Sequence, residues 1–315
     1  FVNFTYLFYN SKIKLDQILV VILIIDLFVI SYSFLPLIEF ILDNSFALID
    51  FNSVPNSLRG PTGNKNILAS YLVFNVPFAF YLLSLNKTFY NILSSLTIFL
   101  TTITIVLLSS RASIISLFFI SFLFFIYFII TFKKYNFTPL LFISLSFASS
   151  FFISKIFIPT SFNVVDKVQS IQATDTSTNY RVILWENAID YISINPFIGC
   201  GIGNWKIQSL PYWKDRLTGY TIPYHAHNDF LELTTETGII GGLSYLLIFI
   251  LIFFLIISNF KKSSLFSLLL FALLVIYCFD ALVNFPFERA ISQLNFVLLM
   301  FFSIYLSKSN ESNLI

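Results

Sequence analysis

The feature that most constrains this chain is a series of long apolar runs, each sufficient to cross a bilayer by itself. A spanning helix needs about 20 apolar residues to cover about 30 Å of hydrocarbon at 1.5 Å per residue. Scanning for such runs places spans at 17 to 41, 67 to 85, 90 to 109, 112 to 132, 138 to 158, 238 to 258, 264 to 281 and 290 to 306. None has the polar alternation of a barrel strand, so helices are expected throughout, because a spanning segment must satisfy its own backbone. Composition agrees: 57% of residues are hydrophobic and 11% charged, with mean hydropathy +0.85, far from the charge density of a water-soluble domain. The expected architecture is all-α and polytopic, with residues 1–158 holding five spans, 159–237 a large loop with short interfacial helices, and 238–315 three spans.

A formal net charge of +2 without any basic run argues against a nucleic-acid partner. Cys200 and Cys278 fall in a polar loop and an apolar run, so no disulfide framework is implied. Phe1 is not an initiator Met, and Phe1 to Tyr9 reads as the end of an apolar helix, so an upstream portion is expected.

Short-loop lysines orient the path. Lys12, Lys14, Lys87, Lys133, Lys134, Lys261, Lys262 and Lys308 fall on one side, which is read as cytoplasmic. All five arginines (Arg59, Arg111, Arg181, Arg216 and Arg289) map to the opposite face. Orientation rules predict no such split between Lys and Arg. The planar guanidinium binds phosphate in two-point fashion, whereas lysine is a hydrated point charge, so outer arginines suggest an anionic headgroup such as a lipid-linked diphosphate. The bland alternative is pairing with loop carboxylates or snorkelling to lipid phosphates.

The long outer loop has internal order. Gln172 to Asn179 reads as disordered or turn. Arg181 to Ile192 then places apolar residues at 182, 185, 188, 189 and 192, a helical spacing, with Trp185 suited to the headgroup layer. Asn195-Pro196 stops that helix and Gly199-Cys-Gly201-Ile-Gly203 makes a turn, without the spacing of a dinucleotide fingerprint.

Both histidines of the chain lie in His225-Ala-His227-Asn228-Asp229-Phe-Leu-Glu232, followed by Gly238-Ile-Ile-Gly241-Gly242. Asn228 or Asp229 is positioned to cap a helix leading into the sixth span, with the histidines at its positive end. Three readings compete: a zinc site from His225, His227, Asp229 or Glu232; loop histidines held in hydrogen bonds; and a general base, favoured because imidazole exchanges protons near neutral pH. Inside the spans, Asp26 and Asp280 are costly in hydrocarbon. Either could pair with an upstream helix or with Arg289, and Asp280 ranks higher because Arg289 follows it, with Glu288 adjacent as a competing neutraliser.

His227-Asn228, nine intervening residues and Gly238-Ile-Ile-Gly241 together resemble the His-Asn-x9-Gly-x-x-Gly signature of the O-antigen ligase family. Arg59-Gly60-Pro-Thr-Gly63-Asn64-Lys-Asn66, Ser110-Arg111-Ala-Ser113 and Arg181-x3-Trp185 with Pro196-Phe-Ile-Gly199-Cys-Gly201 are similar to family segments in the same order. The resemblance covers about residues 59 to 300. Members have about a dozen spans, so some four upstream spans are expected to be missing.

The resemblance implies a GT-C-type, metal-independent glycosyltransferase of the bacterial inner membrane, without cofactor, its active site facing the periplasm. It implies transfer from undecaprenyl diphosphate to an acceptor hydroxyl such as lipid A core. His227 is implied as the base or a group orienting the acceptor. Arg111 and Arg181 are implied as the diphosphate pair, with Arg59, Arg289, His225 and Asn228 as further substrate-binding candidates. Cys200 replaces a small aliphatic residue and reads as packing. The loop's few basic residues suggest an acceptor other than a typical lipopolysaccharide core. A polysaccharide polymerase and a protein O-oligosaccharyltransferase share the signature, and a polysaccharide transporter is a reading from another class.

Overall fold

The computed structural model describes residues 14–43, 54–131, 140–141, 143–145, 147–148, 176–213 and 224–308. Every regular element among them is helical. Eight long helices organise the described residues: α1 (Leu15–Asp43), α2 (Lys65–Ser84), α3 (Thr88–Leu108), α4 (Arg111–Ile130), α5 (Thr176–Ile194), α6 (Asp229–Ser258), α7 (Ser264–Val283) and α8 (Ala290–Lys308). All but α5 are long and apolar enough to span a membrane. This is an all-α, multi-pass membrane protein. Seven of the expected spans are thus present, and the remaining one, 138 to 158, lies largely outside the described residues.

The bundle is built around α2, which is buried continuously from Leu68 to Ser84 and packs against α1, α3, α4, α7 and α8. The outer helices keep large apolar side chains on their free faces, among them Phe28 of α1, Phe122 of α4 and Leu251 of α6. In lipid such faces need no cover, and polar groups inside the bundle must find partners there. Thr97, Thr102 and Thr104 of α3 do so by donating to carbonyls four residues back. Asp26 of α1 accepts from Asn75 Nδ2 of α2 at 2.7 Å, so this intramembrane acid has a partner within the bundle.

The helices alternate in direction, so two ends can be told apart by their contacts. One end carries the Lys87–Asp16 pair (3.4 Å), the Tyr127–Ser264 hydroxyl contact (2.7 Å) and Lys262 on the carbonyls of Leu306 and Ser307. The other end holds the starts of α2, α4 and α8 and the end of α7, and the candidate site is built there.

Before α2, Gly60 adopts φ +54, and a Cβ on it would collide with Ser33 Oγ of α1, so this turn lies tight against its neighbour. Asn64 caps α2, accepting from Asn66 N at 2.8 Å. Between α3 and α4 the chain reverses through Ser109 in the left-handed region (φ 54), which leaves Arg111 as the first residue of α4. Helix α5 begins at Thr176, so Thr176 to Asn179, expected as turn or disordered, are helical. Short polar side chains that compete with the backbone in a helix interior are well tolerated in its first turn.

Candidate active site

The site grows from a broken helix. Asn228, in extended conformation, accepts from Leu231 N at 3.1 Å and starts α6. After nine intervening residues Gly238 (φ 74, ψ 177) interrupts the helix, dividing a short pre-membrane segment from the span. The carbonyls released by the break are taken up by the glycine-rich turn. Cys200 N donates to Thr235 O at 2.9 Å, Gly201 N to Glu236 O at 2.8 Å, and Ile239 N returns to Pro196 O at 2.8 Å. A Cβ at Gly238 would strike the Phe197 carbonyl and one at Gly199 would stand 2.5 Å from the Glu236 backbone, so the two motifs are mated surfaces. The Glu236 carboxylate also accepts from Trp205 N at 3.3 Å. Ala188 of α5, Trp205 and Ala226 form a small core under this junction, with Tyr191, Cys200 and Leu231 around it. Cys200 is therefore packing, and burial together with the Glu236 charge raises its thiol pKa.

Immediately before the cap stand the two histidines, in different environments. His225 Nδ1 is 2.7 Å from Glu232 Oε1, and Glu232 Oε2 accepts from Ala226 N at 2.7 Å, so one carboxylate fixes both ring and backbone. His227 occupies the left-handed region (φ 52), and its Nδ1 is buried without a hydrogen-bond partner among the described residues. Burial, reinforced by the charges of Arg181, His225 and Arg289, pushes its pKa down to about 4, so it is neutral at physiological pH.

Phe285, in the loop from α7 to α8, joins these groups. Its ring stacks on His225 (centroids 4.1 Å apart, 15° between planes), meets His227 edge-on at 5.0 Å and lies 4.2 Å from the Arg289 guanidinium. The loop is tied to α6 by Asp229, whose Oδ2 accepts from Phe287 N at 2.9 Å. Arg289 is buried, 4.0 Å from Asp280 Oδ2, while its Nε and Nη1 make no hydrogen bond among the described residues. Burial lowers its pKa against the opposing pull of Asp280 and Asp229. Asp280 itself accepts from Ser70 of α2 at 2.5 Å and from Asn284 at 2.6 Å. Glu288, the adjacent acid, is exposed and leaves the pairing to Asp280.

Of the residues singled out in the sequence, the fold brings together His225, His227, Asn228 and Arg289, with Arg181 on α5 close enough for its charge to act on His227. Arg59, exposed in the turn before α2, and Arg111, half-buried at the start of α4, stand at the same end of the bundle. The Phe285 cluster is built without them. Sequence reading passed over Phe285 among 41 phenylalanines and had Glu232 only as a metal ligand. The one available signal for Glu232 was its position in the first turn of a capped helix, seven residues from His225. Among the described residues no three His, Cys, Asp or Glu side chains gather as a metal would require, which leaves the zinc reading without a ligand set there.

Comparison with known proteins bears on this arrangement. Residues 96–246, from α3 through the Gly238 junction, match the family described as O-antigen ligase. This likeness covers just under half of the chain. Its relatives include the exopolysaccharide production protein ExoQ of Rhizobium meliloti, 27% identical over 94 residues, which are 29% of this chain and 22% of ExoQ. Two rickettsial proteins, each named "Putative polysaccharide ligase", are also similar. That of Rickettsia typhi is 31% identical over 75 residues, 22% of this chain and 18% of the relative. That of Rickettsia felis is 28% identical over 87 residues, 26% and 21% respectively. The matches thus span about a fifth of each relative's length. The His-Asn-x9-Gly-x-x-Gly spacing at the end of the matched stretch is realised here as a capped, glycine-broken helix.

Proposed function

We propose that the protein transfers a glycan from undecaprenyl diphosphate to an acceptor hydroxyl, of which lipid A core is the first candidate, at the periplasmic face of a bacterial inner membrane. The observation that carries this reading is the buried Arg289, with unbonded guanidinium donors, beside the neutral His227, with an unbonded ring nitrogen. A fixed cation and a neutral hydrogen-bond acceptor side by side suit a reaction in which negative charge develops on a leaving group while a hydroxyl is held in line for attack. Leaving such groups unpaired costs stability, and sites that bind anions bear this cost.

In the reaction, the acceptor oxygen bonds to the anomeric carbon and the bond from that carbon to the diphosphate oxygen breaks. The electron pair stays with the diphosphate. Arg111 and Arg181 hold it in two-point fashion, with Arg289 and Arg59 supporting the charge, and Asn228 shapes the start of the helix beside it. His227 faces the acceptor hydroxyl and His225 completes the polar wall. The proposed chemistry uses neither metal nor cofactor.

The Rhizobium relative is named for exopolysaccharide production, and a second reading is polymerisation of repeat units on the carrier by the same donor chemistry. The glycan state of cells lacking the intact gene separates the two, read by gel separation and mass spectrometry of glycolipids and carrier-linked sugars. Long polymer stranded on the carrier beside bare lipid A core supports the ligase. Single repeat units still reaching the core support the polymerase. Unchanged glycans in both pools would overturn the proposal.

A further inference from the structure

We infer that His225, held by Glu232, is the group that takes the proton from the acceptor hydroxyl, while the signature histidine, His227, orients that hydroxyl without becoming charged. The inference rests on the transfer reaction proposed above and divides the work between its two histidines.

Three observations carry it. First, the His225–Glu232 contact (2.7 Å) is a carboxylate-backed imidazole, the arrangement that fixes a ring's tautomer and stabilises the imidazolium formed when it takes up a proton. With Nδ1 committed to Glu232, Nε2 is the nitrogen left for substrate. Second, Glu232 cannot easily swing away, because it is buried and its other oxygen is bound by Ala226 N. Third, the ring plane of His225 is set by stacking on Phe285, the same side chain that carries Arg289, so base and cation are indexed to one aromatic plate. The side chain remains 29% exposed, so the ring can be reached.

His227 lacks each of these supports. It has no carboxylate partner among the described residues, and the charges that act on it, Arg181 from α5, Arg289 from the α7–α8 loop and its neighbour His225, all oppose protonation. A ring so placed accepts a hydrogen bond and aligns a hydroxyl, but protonates reluctantly. The charged and titratable groups about His225 are Glu232 on the following helix, His227, and Arg289 across Phe285.

The step balances without a further reactant. The acceptor O–H proton passes to His225 Nε2 as the oxygen bonds to the anomeric carbon, the diphosphate leaves with the electron pair, and His225 later returns its proton to solvent.

The test uses the intact protein in liposomes, with undecaprenyl-diphosphate-linked glycan as donor and glycan-free lipid A core as acceptor. His225→Ala should lower kcat by roughly 10²- to 10⁴-fold, the usual contribution of a general base, with little change in donor KM and partial recovery on adding imidazole. His227→Ala should raise acceptor KM and not respond to imidazole. Glu232→Gln preserves the packing and should lower kcat about tenfold or more while moving the acidic limb of the kcat/KM profile to lower pH, as loss of a stabilising carboxylate requires. That last readout separates a positioning role from a purely structural one, and it carries the test if His225→Ala fails to fold. Full activity in His225→Ala, imidazole rescue of His227→Ala instead, or an unmoved pH limb in Glu232→Gln would each overturn the assignment. If the unaltered protein transfers nothing from this donor, the transfer reaction itself falls, an outcome distinct from the others.

Discussion

The Asp280 carboxylate faces the Arg289 guanidinium at 4.0 Å, with the two side chains only 11% and 7% exposed. One sits at the end of α7 and the other in the loop beyond it, and Ser70 reaches across from α2 to hold the acid in place. A charge placed so deep persists because its counter-charge is there. The pair therefore joins the stability of the bundle end to the placing of a cation in the candidate site.

Removing one member should be costly. Asp280→Ala leaves Arg289 as an uncompensated buried charge and strips Ser70 and Asn284 of their acceptor, so a loss of about 3 to 5 kcal/mol is expected. Thermal unfolding in detergent measures it, and an unchanged midpoint would show that Arg289 finds compensation elsewhere.

Gly238 carries a backbone conformation that only glycine adopts readily, against the Phe197 carbonyl. Gly238→Ala should cost about 1 to 3 kcal/mol from the backbone alone, with the collision in addition. The expected outcome is loss of folded protein in the membrane fraction, whereas Gly203→Ala, which has open space around its Cβ position, should be milder.

His227 makes stability depend on pH with a definite sign. Its pKa is about 4 in the folded protein against 6.5 for the free side chain, so the unfolded chain binds more protons between those values. Stability is therefore intact above about pH 6.5 and falls as pH drops towards 4, by up to about 3 kcal/mol. Between pH 7 and pH 4 the midpoint of the parent protein should fall further than that of His227→Gln; parallel curves would refute the buried neutral state.

Arg111→Lys and Arg181→Lys keep charge but lose the planar fork. Each should raise donor KM about tenfold or more, the value of one charge-assisted hydrogen bond, while protein levels stay constant. Kinetics indistinguishable from the parent would rule out two-point diphosphate binding by that residue.

Much of the fold is legible in the sequence because a bilayer leaves few options. A run such as 264 to 281 has to be a helix, and the structure places one at Ser264–Val283. The capping role of Asn228 and the helix through Trp185 were equally readable, since both depend on neighbours within one or two turns. Thr176 to Asn179 misled because short polar side chains resemble a loop by composition, although a helix tolerates them in its first turn.

The candidate site divides along the same line. Its His-Asn and glycine positions could be read from spacing, because the cap and the break are local backbone events. Phe285 could not, since nothing in its neighbourhood distinguishes it from other apolar residues; it matters only because the α7–α8 loop lays it against His225, 60 positions away. Ser70 and Asp280 likewise meet across 210 residues. Local hydropathy and backbone preference determined the spans, their order and the capped start of α6 by themselves. Which acid neutralises Arg289, which ring seats the histidines and which histidine has a carboxylate behind it were decided only by tertiary packing, because buried charges and rings take their properties from whatever the fold brings within a few ångströms.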